Sequence, residues 1–329
     1  MVMSFGSKAP SQFALDAIKA VRTASDAKAV TVQKRTARQR SAPLSFRLDA
    51  GLTDQWPVRD QFGRGTCVAF ATLAAVELHR ALRDDMPPER LSEQFLHDCM
   101  VTFHPAGGTE ETGLPQGGIL LHQALRALEQ HGIAGAEHAP YRPLEPELNA
   151  QPELAPSPAA LTAASGNLIQ CRAYGTIGTP EGMDPARVDN FRPGEDTAEK
   201  MREFLQEGLP VVIGLPLFQH ACGLSNWVLP ATIRSGMVPC PEDPDAPVLE
   251  GPRADGHVVC LTGYRHDPTE PSGGWFVFRN SWGLGFATHS AVEPALMSAG
   301  TRGYGLLSAS HVNNYCWEYL VPVPPEASI

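Results

Sequence analysis

Hydrophobic positions recur at helical spacing in three stretches of the first half of the chain. The period of three to four residues predicts a long helix over about 66–83. A shorter helix is expected after Ser92, because a serine hydroxyl is a favoured N-cap. A third is expected over about 119–130, since Gly132 ends the periodic run. The apolar positions of the long helix are Val68, Ala71, Ala75, Leu78 and Leu82.

The second half of the chain has short apolar runs bounded by glycine and proline, a pattern that predicts strands. One helix, over about 197–207, interrupts them. Because helices and strands are segregated along the chain, we expect an α+β fold of two lobes. The lobes are placed at 44–145, mainly helical, and 146–329, mainly β. The predicted strands are 211–214, 257–261, 275–278 and 305–307.

Composition narrows the function. The chain has 329 residues, of which 43% are hydrophobic, and a net charge of −10. An acidic chain lacks the basic face that nucleic-acid binding requires, so no nucleic-acid partner is expected. The longest charge-free stretch, 208–233, contains three prolines and is not expected to span a membrane. The sequence leaves the oligomeric state open.

Cysteine usage and the first residues bear on location. Seven cysteines occur without any C-x-x-C pair, which is typical of single thiols in a reducing compartment. The first 30 residues contain no apolar run followed by a small-residue cleavage site, so we expect no signal peptide. Both observations favour the cytoplasm. Non-classical secretion as an effector stays open.

Four short segments carry candidate chemistry. Cys67 lies at the start of the long predicted helix, where the dipole and the first N–H groups favour a thiolate nucleophile. Residues 255–264 place His257 at the start of a predicted strand, after a Gly-containing loop. The four segments read WPVRDQFGRGTCVAFA at 56–71, LSEQFLHDC at 91–99, DGHVVCLTGY at 255–264 and WFVFRNSWG at 275–283.

In this order the four segments resemble the papain family of cysteine peptidases, over about residues 44–319. The resemblance implies a papain-like fold, with a helical lobe, a β-barrel-like lobe and a cleft between them. It makes Cys67 the nucleophile, His257 its base and Asn280 the residue that orients the imidazole. Gln61 would stabilise the oxyanion together with the Cys67 N–H group. Trp282 would cover the His257–Asn280 contact.

The resemblance also implies substrate contacts and a reaction. Gly117 and Gly118 correspond to a glycine pair on the cleft wall, where bare backbone can pair with an extended substrate. Trp282 is assigned to substrate binding as well. The expected reaction is hydrolysis of a peptide or isopeptide bond in a polypeptide, through a thioester and without metal or cofactor. Two alternatives stay open: a processing peptidase or effector that acts on one partner protein, and an inactive papain-like binding module.

The chain departs from the family pattern in several places. Arg64 and Pro115-Gln116 stand where the family has two cysteines that bond each other, so this disulfide is missing. The resemblance is therefore to bacterial-type members that lack disulfides and a full propeptide. Cys67 and His257 are 190 residues apart, more than the roughly 130–150 of the papain signature. Insertions are expected at about 142–195, 230–252 and 287–302, and their role stays open.

Residues 1–43 form an arm of different character. The arm carries eight Lys and Arg against two Asp, a net charge of +6, so the remainder of the chain carries −16. A helix is predicted over about 11–29, with Phe13, Ala17, Ile18 and Val21 on one face. We expect the arm as a whole to be flexible. The alternatives are a cleft-covering pro-segment, a partner-binding helix or an organelle transit peptide.

Overall fold

The computed structural model describes residues 7–8, 12–27, 45–52, 54–105, 119–143, 155–180, 183–194, 196–289 and 302–324. The helices in these ranges are α1 Gln12–Ala27, α2 Cys67–Asp84, α3 Glu93–Phe103, α4 Leu121–His131, α5 Pro158–Ala164, α6 Thr197–Gln206, α7 Pro230–Ser235 and α8 Ala309–Tyr315. The strands are β1 Ser7–Lys8, β2 Phe46–Arg47, β3 Gln170–Thr176, β4 Asp189–Asn190, β5 Val211–Pro216, β6 Gln219–His220, β7 Leu249–Glu250, β8 Asp255–His266, β9 Gly274–Arg279, β10 Tyr304–Ser308 and β11 Glu318–Val323.

The predicted helices of the first half are confirmed, and their ends have local causes. Helix α2 ends at Asp85, which adopts a left-handed conformation, with φ 50°. Ser92 caps α3 by accepting a hydrogen bond from the Phe95 N–H group at 2.9 Å. Helix α4 ends before Gly132, whose φ of 74° favours glycine. The predicted helix at 197–207 is α6.

One large sheet organises the molecule. Its strands run in the order β10-β9-β8-β5-β11-β3-β4, and all neighbours are antiparallel except β3 and β4. The short strands β1 and β2 also pair with β8. Four of these strands were predicted. The α+β fold is thereby confirmed.

The sheet separates two hydrophobic cores, because alternate residues of a strand face opposite sides. Val258 packs on one side with Val68, Leu73 and other residues of α2, α3 and α4; we call this the α2 core. Val259 packs on the other side with Trp227, Trp282 and Trp317; we call this the tryptophan core. Strand β8 is buried on both faces. His257, near its start, is fully buried between the two cores.

Strands β11 and β3 and helix α5 are among the elements that were not predicted. β11 contains Pro322, which breaks the strand pattern and lies at a register shift opposite β3. β3 has partly exposed residues at its start and no continuous apolar run. Helix α5 lies in the expected insertion at about 142–195, with Ser157 as N-cap and Pro158 in the first turn.

Parts of the arm differ from the flexible segment we expected. Helix α1 packs against α8, and its Ala14 and Ile18 are fully buried in the tryptophan core. The burial of this apolar face explains the order. The predicted face was wrong at Phe13, which is 68% exposed. Strand β1 pairs antiparallel with Asp255 and Gly256 of β8. The division at residues 43 and 145 stays a prediction.

None of the helices in the described ranges has the length and apolar character that crossing a bilayer requires. No group of three or more His, Cys, Asp or Glu side chains in those ranges is arranged to hold a metal ion.

Candidate active site

Cys67 is the first residue of α2, an 18-residue helix. Its N-cap, Thr66, makes no side-chain hydrogen bond to the helix end. The N-terminal N–H groups of a helix lack partners within the helix and carry the positive end of its dipole. This placement stabilises a thiolate at position 67. The Cys67 side chain is fully buried.

Of the six other cysteines, five lie where burial disfavours a thiolate, and one is exposed to solvent. All seven cysteines are free of disulfide bonds. Burial raises the pKa of Cys99 and of Cys171 to about 12, and it also raises the pKa of Cys240, Cys260 and Cys316. Cys222 is exposed. A thiol reagent therefore has Cys222 as its main competing target.

His257 and Asn280 are brought together by the pairing of β8 with β9. His257 lies near the start of β8, and Asn280 directly follows the end of β9. The His257 Nε2 atom lies 2.8 Å from Asn280 Oδ1. Because an amide oxygen only accepts, Nε2 carries the proton of this bond, and Nδ1 is the nitrogen with basic character. Asn280 Oδ1 also accepts from the Ser281 N–H group at 2.8 Å.

Aromatic rings enclose the His257 imidazole on two sides. Trp282 stacks on it, with ring centroids 4.6 Å apart, and Trp227 approaches edge-on at 4.8 Å. Full burial lowers the pKa of His257 to about 4, and the Asn280 bond opposes this shift in part. The site thus holds a neutral imidazole when no negative charge lies beside it.

Trp227 was missed in the sequence analysis. It belongs to the charge-free stretch 208–233, in which we predicted the strand 211–214 and no site residue. Trp227 is fully buried, and its ring also contacts Phe278 and Trp282 at 5.5 and 6.3 Å. A tryptophan in an otherwise loop-like, proline-containing segment was the available signal.

Gln61 lies in the loop before α2 and is fully buried. Its backbone N–H group donates to the Ser281 carbonyl at 2.7 Å, and the Ser281 hydroxyl donates to Gln61 Oε1 at 2.5 Å. Its Nε2 donates to the Arg64 carbonyl at 2.7 Å. Asp60 and Trp282 form a further antiparallel bridge. The loop before Cys67 and the loop that carries Asn280 are therefore joined through backbone and side chain.

A buried ion cluster fixes the start of this loop. The Arg59 guanidinium pairs with Glu77 of α2 at 2.8 Å and with Glu93 of α3 at 2.5 Å. Glu77 also accepts from the Trp56 indole at 2.7 Å. The Arg59 carbonyl in turn accepts from the Gly283 N–H group at 3.0 Å. Buried charges of this kind require partners, and here the partners come from two helices.

The remaining predicted residues are placed as follows. Gly117 and Gly118 lie outside the described residues. Ile119, the next residue, forms a parallel bridge with Ser7 of the arm. Ser7 also pairs with Gly256, the residue before His257. Trp282 is fully buried against His257, and its contact with substrate stays a prediction.

Comparisons with known proteins bear on the family and the fold of the chain. The family model described as papain family cysteine protease matches residues 47–213, just over half of the chain. This match includes Gln61 and Cys67, whereas His257 and Asn280 lie beyond it. Among curated protein sequences, none matches the chain significantly.

Solved structures with a similar fold come from several different organisms. Xylellain, a cysteine protease from Xylella fastidiosa, is 19% identical, with a TM-score of 0.57 over 85% of this chain and 86% of that chain. Procathepsin B S9 from Trypanosoma congolense is 14% identical, with a TM-score of 0.51 over 88% and 82% of the two chains. Digestive procathepsin L 3 from the larval midgut of Tenebrio molitor is 16% identical, with a TM-score of 0.51 over 94% and 78%. Fold, family model and motifs agree, and the chain belongs to the papain family of cysteine proteases.

Proposed function

We propose that the chain hydrolyses peptide bonds with Cys67 as nucleophile, His257 as general base and acid, and Asn280 as the residue that orients the imidazole. The observation that carries the proposal is the His257–Asn280 hydrogen bond of 2.8 Å, enclosed by tryptophan rings and joined to the loop before Cys67. A binding module has no need of both an oriented, buried imidazole and a helix-terminal thiol.

The reaction follows from these positions. His257 Nδ1 takes the Cys67 proton, and the thiolate attacks the carbonyl carbon of the scissile bond. The imidazolium then protonates the leaving amine as the C–N bond breaks, which leaves a thioester on Cys67. His257 next takes a proton from water, whose oxygen attacks the thioester and releases the acid and the thiol. The thiolate beside the ring favours the imidazolium and offsets the lowering of the His257 pKa by burial.

The developing oxyanion is stabilised by Gln61 and the backbone N–H group of Cys67 in this proposal. The Gln61 amide is held by bonds to Ser281 and Arg64. A donor held in place before the reaction costs no reorganisation during it, which is why such groups account for large rate effects.

The substrate class is an extended polypeptide, with a peptide or isopeptide bond at Cys67. Gly117 and Gly118 would pair with its backbone on one wall, and Trp282 would contact it beyond the scissile bond. An enzyme dedicated to one partner protein remains the alternative within the same chemistry. Cleavage of a single protein, with poor cleavage of a peptide library, distinguishes this alternative. The seven free cysteines support a reducing, cytoplasmic location.

The arm competes with substrate for the cleft and lowers the activity of the enzyme in this proposal. Strand β1 lies between Gly256, which precedes His257, and Ile119, which follows the glycine pair. Cys67 and His257 are both fully buried with β1 in this position. Of the alternatives for the arm, these contacts favour the cleft-covering pro-segment.

A single variant tests this role of the arm. Ser7→Pro removes a backbone donor from β1 and should raise kcat/KM several-fold by weakening the strand pairing. Gln12→Pro is the matched control, because proline is tolerated in the first turn of a helix. Equal activity in wild type and both variants would contradict a covering arm.

Active-site titration tests the proposed nucleophile. A peptide epoxide should add once to the wild type and to Cys222→Ser, as read by intact mass, and should not add to Cys67→Ala. Peptide hydrolysis should be lost in Cys67→Ala alone. An adduct that disappears in Cys222→Ser and persists in Cys67→Ala would refute the proposal, since the exposed thiol would then be the reactive one.

A further inference from the structure

Arg64, three residues before Cys67, is buried with only 5% of its surface exposed. Charged side chains are rarely buried unless they have partners. Arg64 Nη1 donates to Gln94 Oε1 of α3 at 2.7 Å and to the Arg142 carbonyl at 3.0 Å. Arg64 thus connects the loop before Cys67 to two other parts of the chain, at a position where the family pattern has a disulfide cysteine.

Tyr141 contacts both ends of the same loop. Its hydroxyl donates to the Gln61 carbonyl at 2.8 Å. Because a phenol has one hydrogen, the Thr66 hydroxyl, 2.9 Å away, is the donor to the Tyr141 oxygen. Burial raises the pKa of Tyr141 to about 12, so the phenol remains a donor at physiological pH. The Tyr141 side chain therefore connects Gln61 to Thr66, the residue that precedes the nucleophile.

The ring of Tyr141 is itself held in place. Phe70 of α2 meets it edge-on, with centroids 4.9 Å apart, and the Arg64 guanidinium lies 5.5 Å from the ring centroid. The next residue, Arg142, donates its N–H group to Gln94 Oε1 at 3.2 Å. Arg64 and Arg142 thus share Gln94 as an acceptor.

The network continues along α3 to a carboxylate. Gln94 Nε2 donates to Asp98 Oδ1 at 2.6 Å, and the Arg142 guanidinium lies 3.4 Å from Asp98 Oδ2. Asp98 is buried, and it pairs with Arg142, whose side chain is half exposed. Connected buried polar groups of this kind rigidify the segments that they join.

We propose that Tyr141 and Arg64 are positioning residues for the oxyanion site. They hold residues 61–66 so that the Gln61 amide and the Cys67 N–H group converge on the same substrate oxygen. The inference rests on the function proposed above. Hydrogen bonds from Tyr141 and Arg64 take the place of a covalent cross-link at this loop, and its geometry is independent of disulfide formation.

Tyr141→Phe tests the inference because it removes only the hydroxyl and keeps the ring against Phe70. A loop displaced by a fraction of an ångström loses transition-state contacts and keeps most ground-state contacts. We therefore expect kcat to fall by about 10-fold to 100-fold with KM unchanged. The inhibition constant of a peptidyl aldehyde, whose adduct places an oxyanion at the same position, should rise by the same factor.

Tyr174→Phe is the matched control. Tyr174 is also buried, and its hydroxyl donates one hydrogen bond, to Glu318 at 3.2 Å, in a different part of the sheet. This variant should lower the melting temperature to a similar extent and keep the wild-type kcat. An equal loss of kcat in both variants would overturn the inference, because general destabilisation would then explain the loss.

Arg64→Lys provides a second, independent variant. Lysine keeps the charge but lacks the planar fork that reaches Gln94 and the Arg142 carbonyl together. We expect kcat to fall less than in Tyr141→Phe, again without a change in KM. A wild-type kcat in both Tyr141→Phe and Arg64→Lys would overturn the inference and leave the proposed function standing. If neither the wild type nor Ser7→Pro hydrolyses any peptide, the proposed function is refuted, and the inference is refuted with it.

Discussion

Replacing Gln61 by alanine separates the catalytic contribution of its amide from its structural contribution. Among the described residues, the side chain forms buried hydrogen bonds with the Ser281 hydroxyl and the Arg64 carbonyl. At about 1 kcal/mol each, their loss lowers the free energy of unfolding by about 2 kcal/mol. Loss of an oxyanion donor raises the barrier by about 3–4 kcal/mol, which is about 100-fold to 1,000-fold in kcat.

The assay measures both quantities on the same protein. Steady-state hydrolysis of a peptide substrate gives kcat and KM, and thermal unfolding followed by circular dichroism gives the melting temperature. For a chain of 329 residues, 2 kcal/mol corresponds to a decrease of about 3 °C. Because the donor acts on charge that develops in the transition state, KM should stay within a factor of about two.

Asn313→Ala is the matched control for the structural part. Asn313 Oδ1 accepts from the Ala198 N–H group at 2.7 Å, and its Nδ2 donates to the Ser272 hydroxyl at 3.3 Å. These contacts lie in α8 and its surroundings, and their loss should lower the melting temperature without a change in kcat. The reasoning is refuted if Gln61→Ala unfolds at a lower temperature as expected but keeps kcat within threefold of the wild type.

Three further predictions concern buried groups. Made in Cys67→Ala, so that no thiolate lies beside the ring, Trp227→Leu opens space beside the imidazole, and the His257 pKa should rise from about 4 toward 6.5 in an NMR titration; an unchanged pKa would contradict the enclosure. His311 is fully buried, and neither ring nitrogen has a hydrogen-bond partner among the described residues, so burial lowers its pKa to about 3. The unfolded chain alone binds this proton as pH falls below 6.5, and His311→Phe should reduce the loss of melting temperature between pH 6.5 and 4.5. Burial raises the pKa of Glu318 to about 8, so its contribution to stability is complete below 4.5 and lost as pH rises toward 8. Glu318→Gln should therefore flatten urea-unfolding stability between pH 5 and 8, and an unchanged slope would contradict the shift.

Local signals in the sequence predicted much of the fold and candidate site. The periodic apolar run before Pro87-Pro88 predicted α2 to within a residue at each end, because its packing face and its terminators are both local features. The N-cap Ser92 likewise marks the start of α3 through a contact only three residues long. Cys67 and His257 could be selected because each stands at a characteristic place in a short motif.

Contacts between distant parts of the chain could not be predicted in the same way. β11 obtains its hydrogen bonds from β3 and β5, and its own Pro322 argues against a strand. Trp227 gains its importance only when the sheet places it against His257. The Arg64–Gln94 and Tyr141–Gln61 bonds join residues 30 and 80 positions apart, and no periodicity connects them.

The short connection between β1 and α1 has a consequence for any occupant of the cleft. Three residues separate Lys8 from Gln12, and α1 is anchored in the tryptophan core by Ala14 and Ile18. A strand tethered this closely competes at an effective concentration in the millimolar range or above. Dilution of the protein does not weaken an intramolecular competitor. In the covering role proposed for the arm, an incoming peptide must therefore outcompete it by affinity, or α1 must first leave the tryptophan core.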